Sequence, residues 1–337
     1  MSANPVDEEL VASATSGNSA AFSELVEPHR RELQVHAYRM LGSLEDAEDA
    51  VQETLLRAWR SRATYDRRAP FRAWLYRITT NVCLRMLERR PKRLVPYENA
   101  PAVPIGADAG SPTDLPWLQP FPDRLLDDSP EPAEEVVARE TIELAFLAAI
   151  QHLPPRQRAA LILRDALDWS ADQTAAVLDM SVPATNSALQ RARATMQERL
   201  PATRLDWSTA AGAEAAERSL LAKYMSAWER RDPSELVALL HEDVRMAMPP
   251  YPAWYDGRPA VMRFIEEHAT GPAAFEHRFV PTRANRQPAF GVYRVDGDEA
   301  TAFAIHIVAV AEGRITDLHW FLYPELFAAF GLPDRLP

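Results

Sequence analysis

Asn186, Gln190 and Arg191 lie within one uninterrupted helical stretch, and their side chains can read a base edge through two hydrogen bonds at once. Asn and Gln can pair bidentately with adenine, and Arg with guanine, in the major groove of a duplex. Thr185 and Ser187, short polar residues near the start of the stretch, suit phosphate or base edges, and Arg193 adds a cation further along. A solvated helix also carries polar residues outside, so the reading depends on what positions this one.

The positioning elements are spelled by residues 151–199. A first helix opens at Ser170, with Gln173 placed to complete a capping box, and carries Ala175, Ala176, Val177 and Leu178 as a small-residue packing face. After Asp179-Met180 the chain restarts at Ser181 as a second cap. Pro183 then falls in the first turn, where its missing amide costs nothing. Leu189, Ala192 and Met196 keep inward spacing and leave Thr185, Asn186, Ser187, Gln190 and Arg191 outside. The pattern predicts a helix-turn-helix.

A second group of candidate residues lies between Ser43 and Arg60, where a serine cap, early acids and late arginines match the helix dipole. Ala47, Val51, Thr54, Leu55 and Ala58 share one face. Asp49, Gln52, Glu53, Leu56 and Arg60 share the other, which sets an apolar centre in a charged ring. A lone exposed leucine is common, and a leucine rimmed by charge is also the anatomy of a partner-binding patch.

The third group follows. The loop 62–68 brings Tyr65, Arg67 and Arg68, and a helix from Pro70 to Met86 sets Phe71, Trp74, Leu75, Ile78, Val82 and Met86 on a buried stripe. Arg72, Tyr76, Arg77, Thr80 and Asn81 are expected on its outer face. Cations interleaved with rings suit single-stranded DNA, with charge following the backbone and rings stacking on unpaired bases. For Trp74 the core role is the expected one.

Whole-chain properties bound these readings. A chain of 337 residues with 47% apolar residues can build two or three cores. No apolar run is long enough for a membrane span and no signal-peptide pattern opens the chain, and its single cysteine, Cys83, cannot form an internal disulfide. A reducing cytoplasm is the expected location. The net charge of -11 requires any nucleic-acid surface to be local. It is local: residues 28–93 hold fifteen basic residues against eight acidic ones.

The runs Leu41 to Trp59 (LGSLEDAEDAVQETLLRAW), Phe71 to Asn81 (FRAWLYRITTN) and Leu153 to Arg158 (LPPRQR), in this order, resemble the extracytoplasmic-function group of sigma-70 family RNA polymerase sigma factors. The resemblance spans roughly residues 7 to 200. It implies that Asp49, Gln52, Glu53, Leu56 and Arg60 face core RNA polymerase. It further implies that Tyr65, Arg68, Arg72, Arg77 and Asn81 face the opened minus-ten element, and that Thr185, Asn186, Ser187, Gln190, Arg191 and Arg193 face the minus-thirty-five duplex. Many relatives carry a basic residue where Asn186 or Ala188 stands.

Residues 96–135 are rich in proline and acid, which predicts an extended linker without a core of its own. Its run Pro116-Trp117-Leu118-Gln119-Pro120-Phe121-Pro122 suggests a docking spot on a spacer; the family resemblance suggests instead an acidic segment that threads the polymerase channel. From about Asp206 the pattern changes to helices over 213–230, 233–240 and 258–268, then strands over 291–295, 301–310 and 315–323 with turns at Asp296-Gly297-Asp298 and Glu312-Gly313. Ala227 to Asp232 (AWERRD) and Tyr255 to Arg258 (YDGR) make this part similar to SnoaL-like domains of the ketosteroid-isomerase-like superfamily. His241, Asp243, His306 and His319 are its candidate acids or bases. His306, however, alternates with Ala304 and Val308, which suits a satisfied core histidine.

The expected architecture is multidomain: two all-α domains over 7–95 and 136–200, the second with the helix-turn-helix, a linker over 96–135, and an α+β SnoaL-like cone over 207–332. The expected function is promoter-specific transcription initiation with core RNA polymerase, regulated by the cone, with no catalytic residue, metal or cofactor. A small ligand in the cone is possible, and the alternative is a SnoaL-type enzyme or small-ligand sensor fused to DNA-binding helices.

Overall fold

Helix boundaries fall at the capping residues. In the computed structural model, which describes residues 5–126, 142–200, 211–270 and 274–337, Gly42 adopts a φ of 70° and closes the helix Arg30–Leu41 by donating its amide to the Tyr38 carbonyl. Ser43 then starts the helix Leu44–Ser61 by accepting the Asp46 amide. The helices up to this point are α1 (Pro5–Ser16), α2 (Ser19–Val26), α3 (Arg30–Leu41) and α4 (Leu44–Ser61). They are followed by α5 (Phe71–Arg89), a short α6 (Pro96–Asn99), α7 (Leu144–Ile150), α8 (Pro155–Leu161), α9 (Ala171–Leu178) and α10 (Val182–Arg199).

Two units emerge, Met1–Arg93 with Leu125–Ala202, and Leu94–Arg124 with Thr203–Pro337. The described part of the first is helical. Its core combines Leu33, Tyr38 and Met40 of α3, Val51 and Ala58 of α4, Leu75 and Val82 of α5, and Ile150, Leu161 and Ile162 from the second helical group. Ser170 forms the expected capping box with Gln173, Asp179 makes the left-handed turn at φ 52°, and Ser181 accepts the Ala184 amide to begin α10. The helix-turn-helix follows from these three polar residues and the small packing face between them.

In the second unit α11 (Ala211–Glu229), α12 (Pro233–Ala238) and α13 (Arg258–Thr270) accompany a seven-stranded sheet. Its strands are β1 (Leu240–Ala247), β2 (Trp254–Asp256), β3 (Glu276–Ala284), β4 (Gln287–Asp296), β5 (Glu299–Ala311), β6 (Arg314–Phe321) and β7 (Arg335–Leu336). The spatial order is β2-β1-β6-β5-β4-β3, with β7 paired to β5. Only β1 and β6 run parallel among these pairs. The sequence pattern missed β1, β2, β3 and β7, and a short helix α14 (Phe327–Phe330) lies before the last strand.

Both sheet faces are covered. Ala304 and Val308 of β5, Phe290 and Val292 of β4, and Leu318 and Trp320 of β6 share one core with Tyr224, Trp228 and Phe264 of the helices. The alternate residues Ile305, Ile307, Tyr293, His319 and Phe321 are buried as well. Phe327 lies edge-on to Tyr293 on this second face. A Cβ at Gly291 would come within 2.5 Å of Leu332 Cδ1, so the C-terminal segment rests where a larger residue would force the Leu332 side chain to move.

Residues 94–124, which hold most of the proline-rich segment, belong to this second unit. Trp117, Leu118 and Phe121 are at most 2% exposed. The loop is tied at its base, where the Leu94 amide donates to the Pro116 carbonyl and the Leu118 amide returns to the Leu94 carbonyl. Farther along, Val103 donates to the Trp254 carbonyl and Thr113 to that of Pro250, while the Trp254 indole donates to the Ala100 carbonyl at 2.7 Å. Burying an aromatic or leucine side chain contributes about 1.5–3 kcal/mol, which explains why a segment too polar to build its own core adheres to a neighbouring one. The expected linker end at Glu135, the domain start at 136 and the cone start at 207 lie outside the described residues.

Candidate polymerase and promoter interfaces

Helix α4 presents the face expected of a docking patch. Ala47, Val51, Thr54 and Ala58 are buried, Asp49, Gln52 and Arg60 are exposed, and Glu53 is half-buried in an ion pair with Arg57. Leu56, 51% exposed, stands among them. Burying such a side chain against a partner is favourable, and the surrounding charges set its rim. Asp46, by contrast, faces inward and pairs with Arg90 and Arg93, which fixes the end of α5 against the start of α4.

On the α5 side, Arg68, Arg72 and Arg77 are exposed, while Tyr65 and Asn81 are half-buried. The Tyr65 hydroxyl donates to the Ala69 carbonyl and its ring packs on Phe71 and Trp74, which stiffens the loop before the helix. Two residues expected outside are instead buried: Tyr76 and Thr80 are both 0% exposed. Two things cover them: the Trp169 ring lies 5.0 Å from that of Tyr76, and a polar network runs along α3. Tyr76 donates its hydroxyl to Glu32, and Thr80 lies 2.9 Å from His36 Nε2. Arg72 also donates to Glu32 at 2.7 Å, and His29 completes the set. Burial alone would raise the Glu32 carboxyl, but hydrogen bonding from His29 and the charge and hydrogen bond of Arg72 hold it below its usual range. Sequence reasoning missed Glu32, because nothing local marks a glutamate forty residues upstream as the anchor of Arg72.

Along α10, Asn186, Ser187, Gln190 and Arg191 are exposed on one side of the helix. Thr185 is a correction: it is 0% exposed, and its hydroxyl donates back to the Ser181 carbonyl, so it supports the helix start instead of facing outward. Arg193 remains exposed but grips Asp165 with two hydrogen bonds, at 3.0 and 2.6 Å. The side chains available to base edges are therefore Asn186, Ser187, Gln190 and Arg191.

The candidate histidines His306 and His319 lie on opposite faces of the sheet. His306 is fully buried, with Nε2 3.0 Å from the Tyr224 hydroxyl and Nδ1 3.2 Å from the His319 carbonyl, and it stacks on Trp320. Burial pushes its pKa down to about 3. His241 lies 4.0 Å from the exposed Asp243. His319 is on the other sheet face, beside Tyr97. The buried carboxylate of the region, Asp317, is held by Arg245 at 2.7 Å.

Comparison with known families agrees with this division. Residues 25–93 match Sigma-70 region 2, residues 143–196 match Sigma-70 region 4, and residues 221–318 match the SnoaL-like domain. The chain is 41% identical over 316 residues to the ECF RNA polymerase sigma factor SigG of Mycobacterium tuberculosis, covering 94% of this chain and 85% of that protein. It is 28% identical to the ECF sigma factor SigJ of the same organism, covering 91% of this chain and 93% of SigJ. The crystal structure of SigJ superposes with a TM-score of 0.59 at 25% identity, covering 92% of this chain and 99% of that one.

Proposed function

Because the chain belongs to the extracytoplasmic-function RNA polymerase sigma factors, we propose that its SnoaL-like unit is a non-catalytic regulator that works by holding the segment between regions 2 and 4. In this reading the protein acts in the cytoplasm. The α4 face centred on Leu56, with Asp49, Gln52, Glu53 and Arg60, docks on core polymerase. Tyr65, Arg68, Arg72, Arg77 and Asn81 face the opened minus-ten strand, and Asn186, Ser187, Gln190 and Arg191 read the minus-thirty-five duplex.

The observation that carries the regulatory part is the docking of residues 94–124, with Trp117, Leu118 and Phe121 buried in the second unit. A linker fixed in this way cannot at the same time follow a path through polymerase, so the two placements compete. The helix-side face of the sheet is filled by Tyr224, Trp228, Phe279, Phe290 and Trp320. That packing supports a structural over a catalytic or ligand-binding role for the unit.

The test is transcription by purified core polymerase with the full-length protein and its Phe121→Ala variant on the same promoter. Release of the segment is expected to change output several-fold in one direction. Equal output, with the segment shown by proteolysis to be released, overturns the regulatory reading.

A further inference from the structure

Within the first unit, regions 2 and 4 contact each other through groups that a simple apolar interface would not use. Trp169, which precedes the helix-turn-helix, is 6% exposed, and its ring centroid lies 5.0 Å from that of Tyr76 on α5. The Arg72 guanidinium carbon is 5.8 Å from the same indole and 5.1 Å from the Tyr76 ring. Nearby, the Arg158 guanidinium of α8 is 3% exposed and crosses to region 2, donating to the Met40 carbonyl at the end of α3 while also holding the carbonyls of Gln151 and Leu153. A cation at a helix C-terminus satisfies carbonyls that lack helical partners.

We propose that regions 2 and 4 form a latch in which Trp169 is the removable cover of the Tyr76 ring, a stacking platform for single-stranded DNA beside the exposed Arg72. The proposal rests on the reading that α5 faces the opened promoter strand. Three features support it. First, the platform is built from within region 2: Glu32 accepts from both Arg72 and the Tyr76 hydroxyl, and the His36 ring lies 5.0 Å from that of Tyr76. Parting the regions therefore leaves cation and ring already arranged. Second, the cover is a planar aromatic beside a tyrosine and an arginine, the chemistry with which an unpaired base would be met. Third, the latch is selective. Leu56 and the duplex-reading side chains Gln190 and Arg191 stay exposed while Tyr76 is hidden. The closed unit thus keeps its polymerase face, its duplex face and the Arg68, Arg72 and Arg77 cations open, and withholds the Tyr76 ring until the regions part.

The experiment uses the full-length chain without polymerase. Spin labels at Glu88→Cys and Asp172→Cys, both exposed positions on the two regions, report their separation, since the native Cys83 is buried. A fluorescent single-stranded oligonucleotide carrying the minus-ten sequence reports binding. Trp169→Ala is expected to lengthen the label distance and strengthen oligonucleotide binding about tenfold or more, with helical content unchanged. Trp169→Phe, which keeps a ring in place, is expected to stay near the parent in both readouts. A longer distance with unchanged or weaker binding overturns the proposal, as does an unchanged distance. Arg77→Ala in the Trp169→Ala background separates the two premises. If it leaves oligonucleotide binding intact, the assignment of α5 to the opened strand fails, whereas loss of binding supports that assignment and leaves the latch to be decided by Trp169.

Discussion

Phe121 and Asn285 hold each other by two reciprocal hydrogen bonds: the Phe121 amide donates to Asn285 Oδ1, and the Asn285 amide donates to the Phe121 carbonyl, each at 2.9 Å. Asn285 can do this because it occupies the left-handed region at φ 56°, in the tight turn between β3 and β4. Asp123 strengthens the same anchor by accepting the Arg286 amide and pairing with Arg283. Asn285→Gly keeps the turn but leaves the buried Phe121 amide without its side-chain acceptor, at a cost of about 1–3 kcal/mol. Limited proteolysis is expected to cut residues 94–124 faster in this variant than in the parent, with the sheet fragment intact. Unchanged cleavage would mean that the anchor does not hold the segment.

Leu56→Glu should abolish copurification with core polymerase. The side chain is 51% exposed and points away from its own core, so the fold has no reason to suffer and circular dichroism should be unchanged. Asp46→Ala provides the contrast. It removes the partner of Arg90 and Arg93, and is expected to lower the melting temperature before it alters binding. Retained copurification of a folded Leu56→Glu variant would remove α4 from the interface.

Gln190→Ala and Arg191→Ala should each weaken binding to a minus-thirty-five duplex by about 1–3 kcal/mol, and Thr185→Val should act through helix stability instead. Asn81→Ala is expected to spare the duplex and reduce promoter opening, which permanganate reactivity of unpaired thymines reads directly. If the α10 variants and Asn81→Ala failed at the same step, the assignment of separate tasks to the two helices would not stand.

Much of this was legible because it is local. Ser43, Ser170, Gln173 and Ser181 mark helix starts within a turn of the residues they cap, and the alternation around His306 already suits a core position. The turn at Glu312-Gly313 was visible through its glycine; the equivalent turn at Asn285-Arg286 was not, since Arg286 takes φ 58° without a glycine to announce it. Strand β3 was lost with that turn. Tyr76 and Thr80 were misplaced for another reason. Helical periodicity tells which residues share a face, and the partners that bury a polar face, Glu32, His36 and Trp169 here, lie some forty residues away or more. The proline-rich segment shows the same limit, because its composition excludes a core of its own but says nothing of a core it could join.

His306 makes the stability of the sheet unit depend on pH. Its pKa is pushed down to about 3, mainly by burial, with His319 and His277 adding repulsion and the His319 carbonyl opposing the shift. His277 is likewise lowered to about 4, by burial and then by Arg231 and His268. In the unfolded chain a histidine titrates near an ordinary value of about 6.5. Below that pH the unfolded state takes up protons that the folded state refuses, so the stability these neutral rings allow is fully present above about pH 6.5 and declines as the pH falls towards the folded values. Each ring contributes a slope of up to about 1.4 kcal/mol per pH unit in that window. His306→Gln keeps a donor for the His319 carbonyl and an acceptor for Tyr224 but cannot titrate. It is expected to lose some stability at neutral pH, because stacking on Trp320 at 4.0 Å is lost, and to show a shallower acid slope by about one histidine's share. Hydrogen-exchange protection of the β5 and β6 amides, measured between about pH 7 and pH 5 and corrected for intrinsic exchange, reads this unit separately from the helical one, where His36 is also pushed down to about 3. Equal slopes for parent and variant would show that His306 does not carry the acid sensitivity.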